Sequence, residues 1–359
     1  MYELDEIQIF SKYNEYQVSF QELKLEHLMM QEDRFIILDA NLARLLNAKR
    51  STTLIEVKPG ETSKEYSEVS KILSELALKG LNRSHTLVVV GGGSIQDVGT
   101  FVASLYMRGL DWVYYPTTLQ SMADSCVGGK SAINLGEHKN LIGNFYPPRS
   151  IVIDTTLTSS LSKYDLACGL IEGLKIAFAS GIQPILEFVK LIEQHLMTDA
   201  PNPELMEQIV HLSLSCKKKF VEEDEFDHGI RKLLNFGHTY GHAIEASTSF
   251  EVHHGIAVGI GILASFEHRS NLALNENEEL LVAITRRILE PFAKDIRQQI
   301  SEMNYEAFSQ SIQMDKKRSL GELTFIHSIN GDLQRVLMPN DDSTRRNAYR
   351  SIERAVNAI

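Results

Sequence analysis

Short apolar runs rich in β-branched and aromatic residues recur through the first 150 residues of the chain. They lie at residues 35–39, 53–57, 86–90, 112–115 and 151–154. Runs of this length, bounded by polar or glycine-containing segments, are typical of buried strands. Between the second and third runs, a longer segment has its apolar residues at helical spacing. Strands that alternate with helices predict an α/β domain with a largely parallel sheet.

After about residue 160 the pattern changes from strands to helices. Apolar residues recur at helical spacing in five segments, at residues 166–180, 184–196, 203–222, 234–247 and 256–271. Two or three more helices are predicted towards residue 359, and the sequence PNDDS at 339–343 indicates a loop before the last of them. We therefore predict an α/β dinucleotide-binding domain at residues 1–160 and an all-α domain at residues 161–359.

Composition and charge narrow the class of protein. The 359 residues are 43% hydrophobic and 23% charged, which is typical of packed domains. The net charge of −11 argues against nucleic acid and anionic membranes as partners, because phosphate binding needs clustered cations. The chain has neither an apolar run of membrane-helix length nor a signal-peptide pattern at residue 1. Its three scattered cysteines form no CxxC pair, so we expect a reducing, cytoplasmic location.

A glycine-rich segment follows the third predicted strand. The sequence GGGSIQD at 91–97 places three glycines before an expected helix start. Glycines let backbone N–H groups approach a pyrophosphate, and a helix N-terminus supplies positive potential. A tight turn has the same signature, and GxGxxG is absent here. The sequence PGETSK at 59–64 adds one carboxylate and one ammonium, suited to a ribose hydroxyl and a phosphate.

One carboxylate and two imidazoles in the second half form a candidate metal set. Glu172, His238 and His254 match a recurring catalytic zinc site, which leaves a position for water or substrate. Lys175 lies three residues after Glu172 and shares its helical face. The pair is either a surface ion pair or a functional one. We favour the functional interpretation because the surrounding residues are apolar and buried charges require partners.

The histidine assignments leave alternatives. His238 and His242 are four residues apart and share a helical face, so both could bind the metal. In the alternative interpretation, His238 is a core histidine whose ring is hydrogen-bonded to a carbonyl group. His253 precedes His254, and we favour His254 because Gly255 permits a close turn into the next helix. A metal beside a dinucleotide indicates redox chemistry at an alcohol carbon.

Cationic residues in short motifs indicate an anionic ligand. The sequence SCVGGK at 125–130 is a glycine turn that ends in lysine, and KN follows at 139–140. Lys217, Arg231 and the pair at 316–317 add further cations. Each of these alone is more typical of a solvated surface charge. The guanidinium of Arg231 suits a planar, bidentate partner.

Taken in order, these segments resemble the 3-dehydroquinate synthases, a group within the sugar-phosphate cyclase family. The resemblance extends from about Asp39 to Lys317. The motifs that carry it are PGE at 59–61, GGGSIQD at 91–97, PTT at 116–118, DSCVGGK at 124–130, KN at 139–140, ExxK at 172–175, RxxxNxxHxxxH at 231–242, HGxAV at 254–258 and DKK at 315–317.

The resemblance implies zinc or cobalt on Glu172, His238 and His254. It implies NAD contacts at Asp39, Asn41, Glu61, Lys64, Gly92, Gly93, Ser94, Asp97, Thr117, Thr118, Lys130, Lys139, Leu157 and Ser160. The residues that it places around the substrate, a sugar phosphate acid, are Asp124, Lys130, Asn140, Lys175, Lys217, Arg231, Asn235, His242 and Lys317. Arg108 matches an arginine that reaches the phosphate site of a neighbouring subunit, so a homodimer is expected.

The reaction that the resemblance implies converts 3-deoxy-D-arabino-heptulosonate 7-phosphate to 3-dehydroquinate. The metal lowers the pKa of a substrate hydroxyl, so hydride leaves to NAD⁺. The new ketone acidifies the neighbouring carbon, and phosphate departs by β-elimination. Hydride then returns from NADH, and ring opening and an intramolecular aldol step give the carbocycle. Lys130, Asn140 and Lys317 would hold the phosphate, and Arg231 with Lys217 the carboxylate.

The chain departs from the family pattern at three places. Ile256 stands where glutamate is common, Gly173 where a β-branched residue is common, and Glu137-His138 where Leu-Gly is more usual. None of these changes removes an expected catalytic group, but each could reshape the pocket.

Three other functions remain open. A sister cyclase would act on glucose 6-phosphate or sedoheptulose 7-phosphate, which lack the carboxylate that Arg231 and Asn235 suit. A metal-dependent alcohol dehydrogenase of the glycerol dehydrogenase type would release NADH, but neutral polyols need no cationic cluster. A non-catalytic NAD-binding sensor would not need the full set of metal and proton-transfer groups.

Overall fold

The computed structural model divides the chain into two compact units. It describes residues 5–49, 51–136, 138–269, 273–314 and 321–359. The first unit comprises Met1–Leu161 and Thr198–Phe226, and the second comprises Ser162–Met197 and Asp227–Ile359. No helix in the described part of the chain combines the length and apolarity needed to cross a bilayer.

The five predicted strands are present, together with strands near residues 7–20, 133–142 and 322–339 that were not predicted, and among the residues that the structure describes four helices follow residue 271 where two or three were expected. The strands are β1 (Ile7–Ile9), β2 (Tyr16–Phe20), β3 (Arg34–Asp39), β4 (Leu54–Val57), β5 (Thr86–Gly91), β6 (Trp112–Pro116), β7 (Ile133–Leu135), β8 (His138–Ile142), β9 (Ser150–Ile153), β10 (Glu322–Ile329) and β11 (Asp332–Pro339). The helices are α1 (Leu25–Met29), α2 (Ala40–Leu45), α3 (Tyr66–Leu78), α4 (Gly93–Leu105), α5 (Lys163–Ala179), α6 (Ile182–Leu196), α7 (Pro203–Glu223), α8 (His238–Ser247), α9 (His254–His268), α10 (Glu276–Leu289), α11 (Ala293–Ser301), α12 (Tyr305–Met314) and α13 (Asp342–Asn357).

A seven-stranded sheet forms the centre of the first unit. Its order is β1-β2-β9-β6-β5-β3-β4, and every pairing in it is parallel except that of β1 with β2. The central strands are apolar on both faces: Ile36, Ile37, Val88 and Val89 are fully buried. Continuous apolar runs of this kind are expected where both faces of a parallel sheet are covered. The predicted α/β domain with a largely parallel sheet is therefore confirmed.

Helix α7 packs with the sheet-containing unit, whereas the sequence analysis placed this segment in the helical domain. The Lys217 ammonium donates to the main-chain oxygen of Asp124 at 2.5 Å and lies 2.6 Å from its carboxylate. The Ser213 hydroxyl donates to the main-chain oxygen of Ala123 at 2.7 Å. An amphipathic pattern shows which face of a helix is buried but not which core buries it. The division that we predicted at residues 160 and 161 lies beside Leu161, where the first part of the first unit ends.

The second unit is mainly helical, as predicted, but the description all-α needs a correction. Strands β10 and β11 pair in antiparallel register from Glu322 opposite Pro339 to Ile329 opposite Asp332. The turn between them is Asn330-Gly331, with φ of 56° and 92°. A two-residue Asn-Gly turn matches the twist of a hairpin, so the sequence did carry a local signal for this element. A loop does precede the last helix, but it is shorter than the predicted 339–343, because β11 ends at Pro339 and α13 begins at Asp342.

A buried polar cluster lies in the second unit. The Tyr240 hydroxyl is 2.6 Å from His268 Nδ1 and 3.1 Å from His327 Nε2. All three side chains are at most 9% exposed. Burial lowers the pKa of His268 to about 4 and that of His327 to about 3. Both imidazoles are therefore neutral in the folded protein at neutral pH.

Gly173 permits a close approach between α5 and α6. A Cβ atom added there would lie 2.4 Å from the Phe188 ring. The missing β-branched side chain at position 173 is therefore matched by the large, fully buried Phe188 on the facing helix. This departure from the family pattern has a packing explanation.

We predict that Gly173→Val lowers the free energy of unfolding by about 1–3 kcal/mol, because its side chain overlaps the Phe188 ring. Urea unfolding of the wild type, Gly173→Val, Phe188→Leu and the double variant measures the effect. The valine should cost less in the Phe188→Leu background, since leucine leaves room near the former ring tip. Equal costs in both backgrounds would contradict the overlap.

We also predict that the cluster around Tyr240 makes the second unit less stable in acid. The folded pKa values of His268 and His327 lie below the unfolded value of about 6.5. Stability is thus complete above that pH and falls as the pH drops towards 4, by up to about 1.4 kcal/mol per pH unit for each histidine. Urea midpoints measured from pH 7.5 to 5 should fall less steeply for His327→Gln than for the wild type. The exposed His27→Gln serves as the control, and a slope unchanged by His327→Gln would refute the account.

Candidate functional site

Four of the segments expected to contact NAD lie at one edge of the parallel sheet. Asp39 ends β3, Gly92 follows β5, Thr117 follows β6 and Leu157 lies just beyond β9. These four strands are neighbours in the order β9-β6-β5-β3. The carboxyl ends of adjacent parallel strands form the usual ligand-binding edge of an open α/β sheet. The first unit therefore contains a candidate dinucleotide site.

The glycine-rich loop joins β5 directly to α4. Gly92 precedes the helix, and a Cβ atom added to it would lie 2.9 Å from the Thr118 side chain. A Cβ atom added to Gly93 would meet only the Ser125 hydroxyl, at 3.9 Å. The Ser94 hydroxyl accepts a hydrogen bond from Gly60 N at 3.0 Å. The helix N-terminus thus has open space beside Gly93, which fits the close approach of a pyrophosphate.

A buried network connects the predicted PGETSK turn to the helix that follows the glycines. The Lys64 ammonium lies 2.8 Å from Asp97 and 3.7 Å from Glu61, and it donates to the Asn140 side-chain oxygen at 2.7 Å. Lys64 is 6% exposed. Burial acts to lower its pKa, but the carboxylates of Asp97 and Glu61 outweigh burial and raise it. Lys64 therefore carries its charge in the folded protein.

Asn134 is a component of this network that sequence reasoning missed. Its side-chain nitrogen donates to Glu61 at 2.8 Å, and its side-chain oxygen accepts from Asn140 N at 2.9 Å. It is fully buried and fixes Asn140, whose φ is +51°. Asn134 lies between Ile133 and Leu135 in a short strand, so no local motif distinguishes it.

The remaining residues expected to contact NAD differ in their burial and in their contacts. Asp39 caps α2, accepting hydrogen bonds from Asn41 N at 2.7 Å and Leu42 N at 3.4 Å. Burial raises the pKa of Asp39. Leu157 packs against the apolar cluster beneath α1 and α2. Ser160 is exposed.

Several expected cationic residues of the first unit are solvent-accessible. Lys130 and Lys139 are exposed, and the Lys130 ammonium lies 5.9 Å from the Phe145 ring centre. Arg108 is exposed and follows Met107, and both have positive φ, 68° and 48°. Left-handed backbone at two successive non-glycine residues is uncommon and costs conformational energy.

In the second unit, the three predicted metal donors converge. The Glu172 Oε1 atom lies 3.3 Å from His254 Nε2 and 3.9 Å from His238 Nε2. Its other carboxylate oxygen accepts a hydrogen bond from the Lys175 ammonium. Donors that share a tetrahedral ion at about 2.0–2.2 Å are separated by roughly 3.3–3.6 Å. The His254 separation lies in this range and the His238 separation is slightly longer, and one carboxylate with two imidazoles is a donor set that suits a divalent metal.

His242 belongs to the same cluster. Ring nitrogens of His238, His242 and His254 all lie within 4.8 Å of one another. The geometry therefore retains the alternative in which His242 also binds the ion. His253 lies elsewhere: its Nδ1 is 3.8 Å from Asp165, and its ring contacts Tyr164.

The two imidazoles that face Glu172 differ in their electrostatics. Burial acts to lower the pKa of His254, but hydrogen bonds with Glu172 and Glu245 outweigh burial and raise it to about 10. Burial, with Lys175 and the neighbouring imidazoles, holds the pKa of His238 well below its usual range. Glu245 was not predicted from the sequence, although its spacing from His238 carries the signal for a shared helical face.

Glycines bring the helices that carry these donors together. A Cβ atom added to Gly255 would lie 2.4 Å from the Cys168 backbone of α5, which places the start of α9 against the helix of Glu172. Gly237, with φ of 79°, ends the preceding turn so that α8 begins at His238. That turn is why the helix starts four residues later than predicted.

For several other expected residues the structure gives only the exposure of the side chain, and two lie outside the part of the chain that it describes. Arg231 is buried, whereas Asn235 is exposed. Ile256 is fully buried, and His138 is exposed. Lys317 and Glu137 are outside the part of the chain that the structure describes.

Comparison with known proteins identifies the family. Residues 54–168 match the model for the 3-dehydroquinate synthase N-terminal domain, and residues 169–318 match the model for its C-terminal domain. A 3-dehydroquinate synthase of Campylobacter jejuni is 34% identical over 94% of this chain and 96% of the relative.

Solved structures share the fold. A 2-deoxy-scyllo-inosose synthase, crystallised with carbaglucose-6-phosphate, NAD⁺ and Co²⁺, has a TM-score of 0.77 at 21% identity and covers 98% of this chain and 99% of its own. The 2-epi-5-epi-valiolone synthase of Streptomyces hygroscopicus, with NAD⁺ and Zn²⁺, has a TM-score of 0.76 at 23% identity and covers 96% and 97%. On the matches over both domains and the curated relative, the chain belongs to the 3-dehydroquinate synthase family.

Proposed function

We propose that the protein converts 3-deoxy-D-arabino-heptulosonate 7-phosphate to 3-dehydroquinate and inorganic phosphate, a step of the shikimate pathway. The observation that carries the proposal is the convergence of Glu172, His238 and His254, in a chain that matches both domains of this family. Relatives named for this activity are about 34% identical over most of the chain. The reaction is redox-neutral overall, so NAD is regenerated in each turnover.

Glu172, His238 and His254 hold zinc or cobalt in this proposal, and His242 remains available to the substrate. A bound divalent ion lowers the pKa of a hydroxyl group that it coordinates and so favours loss of hydride from the same carbon. The buried Lys175 ammonium donates a hydrogen bond to Glu172 and so helps to orient that carboxylate. The related structures that were crystallised with Co²⁺ or Zn²⁺ support this choice of metals.

NAD binds at the carboxyl edge of the sheet in the first unit. The open backbone beside Gly93 receives the pyrophosphate, and the network of Lys64, Asp97 and Glu61 lies next to it. The other residues assigned to NAD are Asp39, Asn41, Gly92, Ser94, Thr117, Thr118, Lys130, Lys139, Leu157 and Ser160. NAD bound at this edge would supply a reversible hydride acceptor for the substrate alcohol carbon.

The substrate carries a phosphate and a carboxylate, and different cations are assigned to each. Lys130, Asn140 and Lys317 hold the phosphate. Arg231 and Lys217 hold the carboxylate, and the contact of Lys217 with Asp124 fixes the lysine in place. Asn235 and His242 are assigned positions beside the departing phosphate.

A homodimer in the cytoplasm is the expected form of the enzyme. Arg108 is exposed on a turn with two left-handed residues, and strained backbone of this kind is retained where a side chain must be presented. We assign Arg108 to the phosphate site of a second subunit.

A metal-dependent alcohol dehydrogenase is the alternative from a different reaction class. It would use the same metal donors and dinucleotide edge. It has no use for the buried guanidinium of Arg231 or for the set of lysines assigned to substrate anions. The two functions differ in their products, which makes them separable in one assay.

We predict that the purified protein with NAD⁺ and Co²⁺ releases phosphate from the heptulosonate phosphate without accumulating NADH. A chelator should abolish release, and added Zn²⁺ or Co²⁺ should restore it. His254→Asn should reduce the rate by at least about 100-fold, because it removes a metal donor. His253→Asn, on the neighbouring exposed residue, is the matched control. Faster phosphate release from sedoheptulose 7-phosphate, or NADH accumulation with glycerol, would refute the assignment.

We predict that Arg231→Lys raises KM for the heptulosonate phosphate by about 10–100-fold. Lysine retains the charge but loses the bidentate hydrogen bonds, which are worth roughly 1.5–3 kcal/mol. Any residual turnover of a sugar phosphate without a carboxylate should be unaffected. Lys232→Gln on the adjacent residue is the control. A KM unchanged in Arg231→Lys would show that this residue does not bind the carboxylate.

A further inference from the structure

The two ring nitrogens of His254 face two different carboxylates. Nε2 lies 3.3 Å from Glu172, and Nδ1 lies 2.9 Å from Glu245 Oε2. A neutral imidazole has one N–H group and one lone pair. With a metal in place of the Nε2 proton, Nδ1 would keep its hydrogen for Glu245 and the lone pair would lie on Nε2, which faces Glu172. The surroundings of the ring thus select the tautomer that a metal ligand needs.

We propose that Glu245 is a positioning residue, which fixes the tautomer and the ring orientation of His254 and strengthens its Nε2 as a metal donor. This inference rests on the proposed function, in which Glu172, His238 and His254 hold the metal. Ligating histidines usually donate their second N–H group to a carboxylate or a carbonyl, and these partners commonly affect metal affinity by 10–100-fold.

The other imidazole has a weaker partner. Nδ1 of His238 lies 3.2 Å from the main-chain oxygen of Phe236. A neutral carbonyl also selects the tautomer with its lone pair on Nε2, but it adds less electron density to the ring than a carboxylate does. The two ligands are therefore unequal, and His254 is the stronger donor because of Glu245.

The fold supplies Glu245 from the same helix as the other imidazole. His238, His242 and Glu245 lie at positions i, i+4 and i+7 of α8 and so share one face. Helices α8 and α9 approach at backbone distance, since a Cβ atom added to Gly261 would lie 2.1 Å from the Gly237 oxygen. This contact fixes the helices in a register that brings the α8 carboxylate to the first residue of α9.

The test uses the full-length protein, stripped of metal and titrated with Co²⁺ alone. Glu245→Gln keeps an acceptor of the same size but removes the charge, and Glu245→Ala removes both. We expect Co²⁺ affinity about 10-fold lower for the first variant and lower again for the second. The d–d absorption band should shift, and the exchangeable Nδ1–H resonance of His254 should move in the paramagnetic proton spectrum. The exposed Glu251→Gln should match the wild type.

Thermal unfolding of the metal-free variants establishes that they are folded. Wild-type affinity together with a wild-type absorption band in Glu245→Gln would overturn this inference and leave the proposed function intact. Weaker binding with an unchanged band and an unchanged Nδ1–H resonance would also overturn it, because only the net charge would then matter. Failure of the wild type to bind Co²⁺, or no loss of binding in His254→Asn, would instead refute the metal site itself.

Discussion

The fully buried carboxylate of Glu172 is the constraint on which the second unit depends. An ionised carboxylate in an apolar helix is costly unless cations or hydrogen-bond donors surround it. Lys175 on the same helix supplies one partner, and the imidazoles at the starts of α8 and α9 face the other oxygen. Three helices must therefore converge on one point. The glycines at positions 237, 255 and 261 allow that convergence, because side chains there would separate the backbones.

The first unit also contains a buried charged side chain, and there the charge is positive. The ammonium of Lys64 is buried, and Asp97, Glu61 and Asn140 surround it. These groups come from a turn, a helix and a hairpin strand that meet beside the glycine-rich loop. Glu172 and Lys64 are thus both buried charges with some partners from distant parts of the sequence. Such groups make a precise arrangement of polar atoms, since misplacing any one of them leaves a charge uncompensated.

Some features of the structure could be predicted because a local sequence pattern records them, whereas others depend on contacts between residues that are distant in the sequence. Periodic apolar patterns identified five of the seven strands of the sheet and the first four helices of the second unit, because those patterns record burial directly. They did not assign α7 to its unit, since its packing partners lie near Asp124, about ninety residues earlier. The hairpin containing Asn330-Gly331 had a local turn signal that helical expectations outweighed. Asn134 had no recognisable motif, and the spacing of Glu245 indicated a helical face shared with His238 but not its hydrogen bond to His254, which only the fold brings near.

Two of the departures from the family pattern can be examined in the structure. Gly173 is explained by a neighbour, Phe188, that occupies the space of the missing side chain. Ile256 is fully buried in α9, two residues after His254. An apolar residue at that position adds no charge to the helix turn that begins with His254, so compensation of the His254 ring falls to Glu172 and Glu245. Glu245, one carboxylate partner of His254, comes from α8, so the arrangement of the predicted metal donors is sensitive to the contact between these two helices.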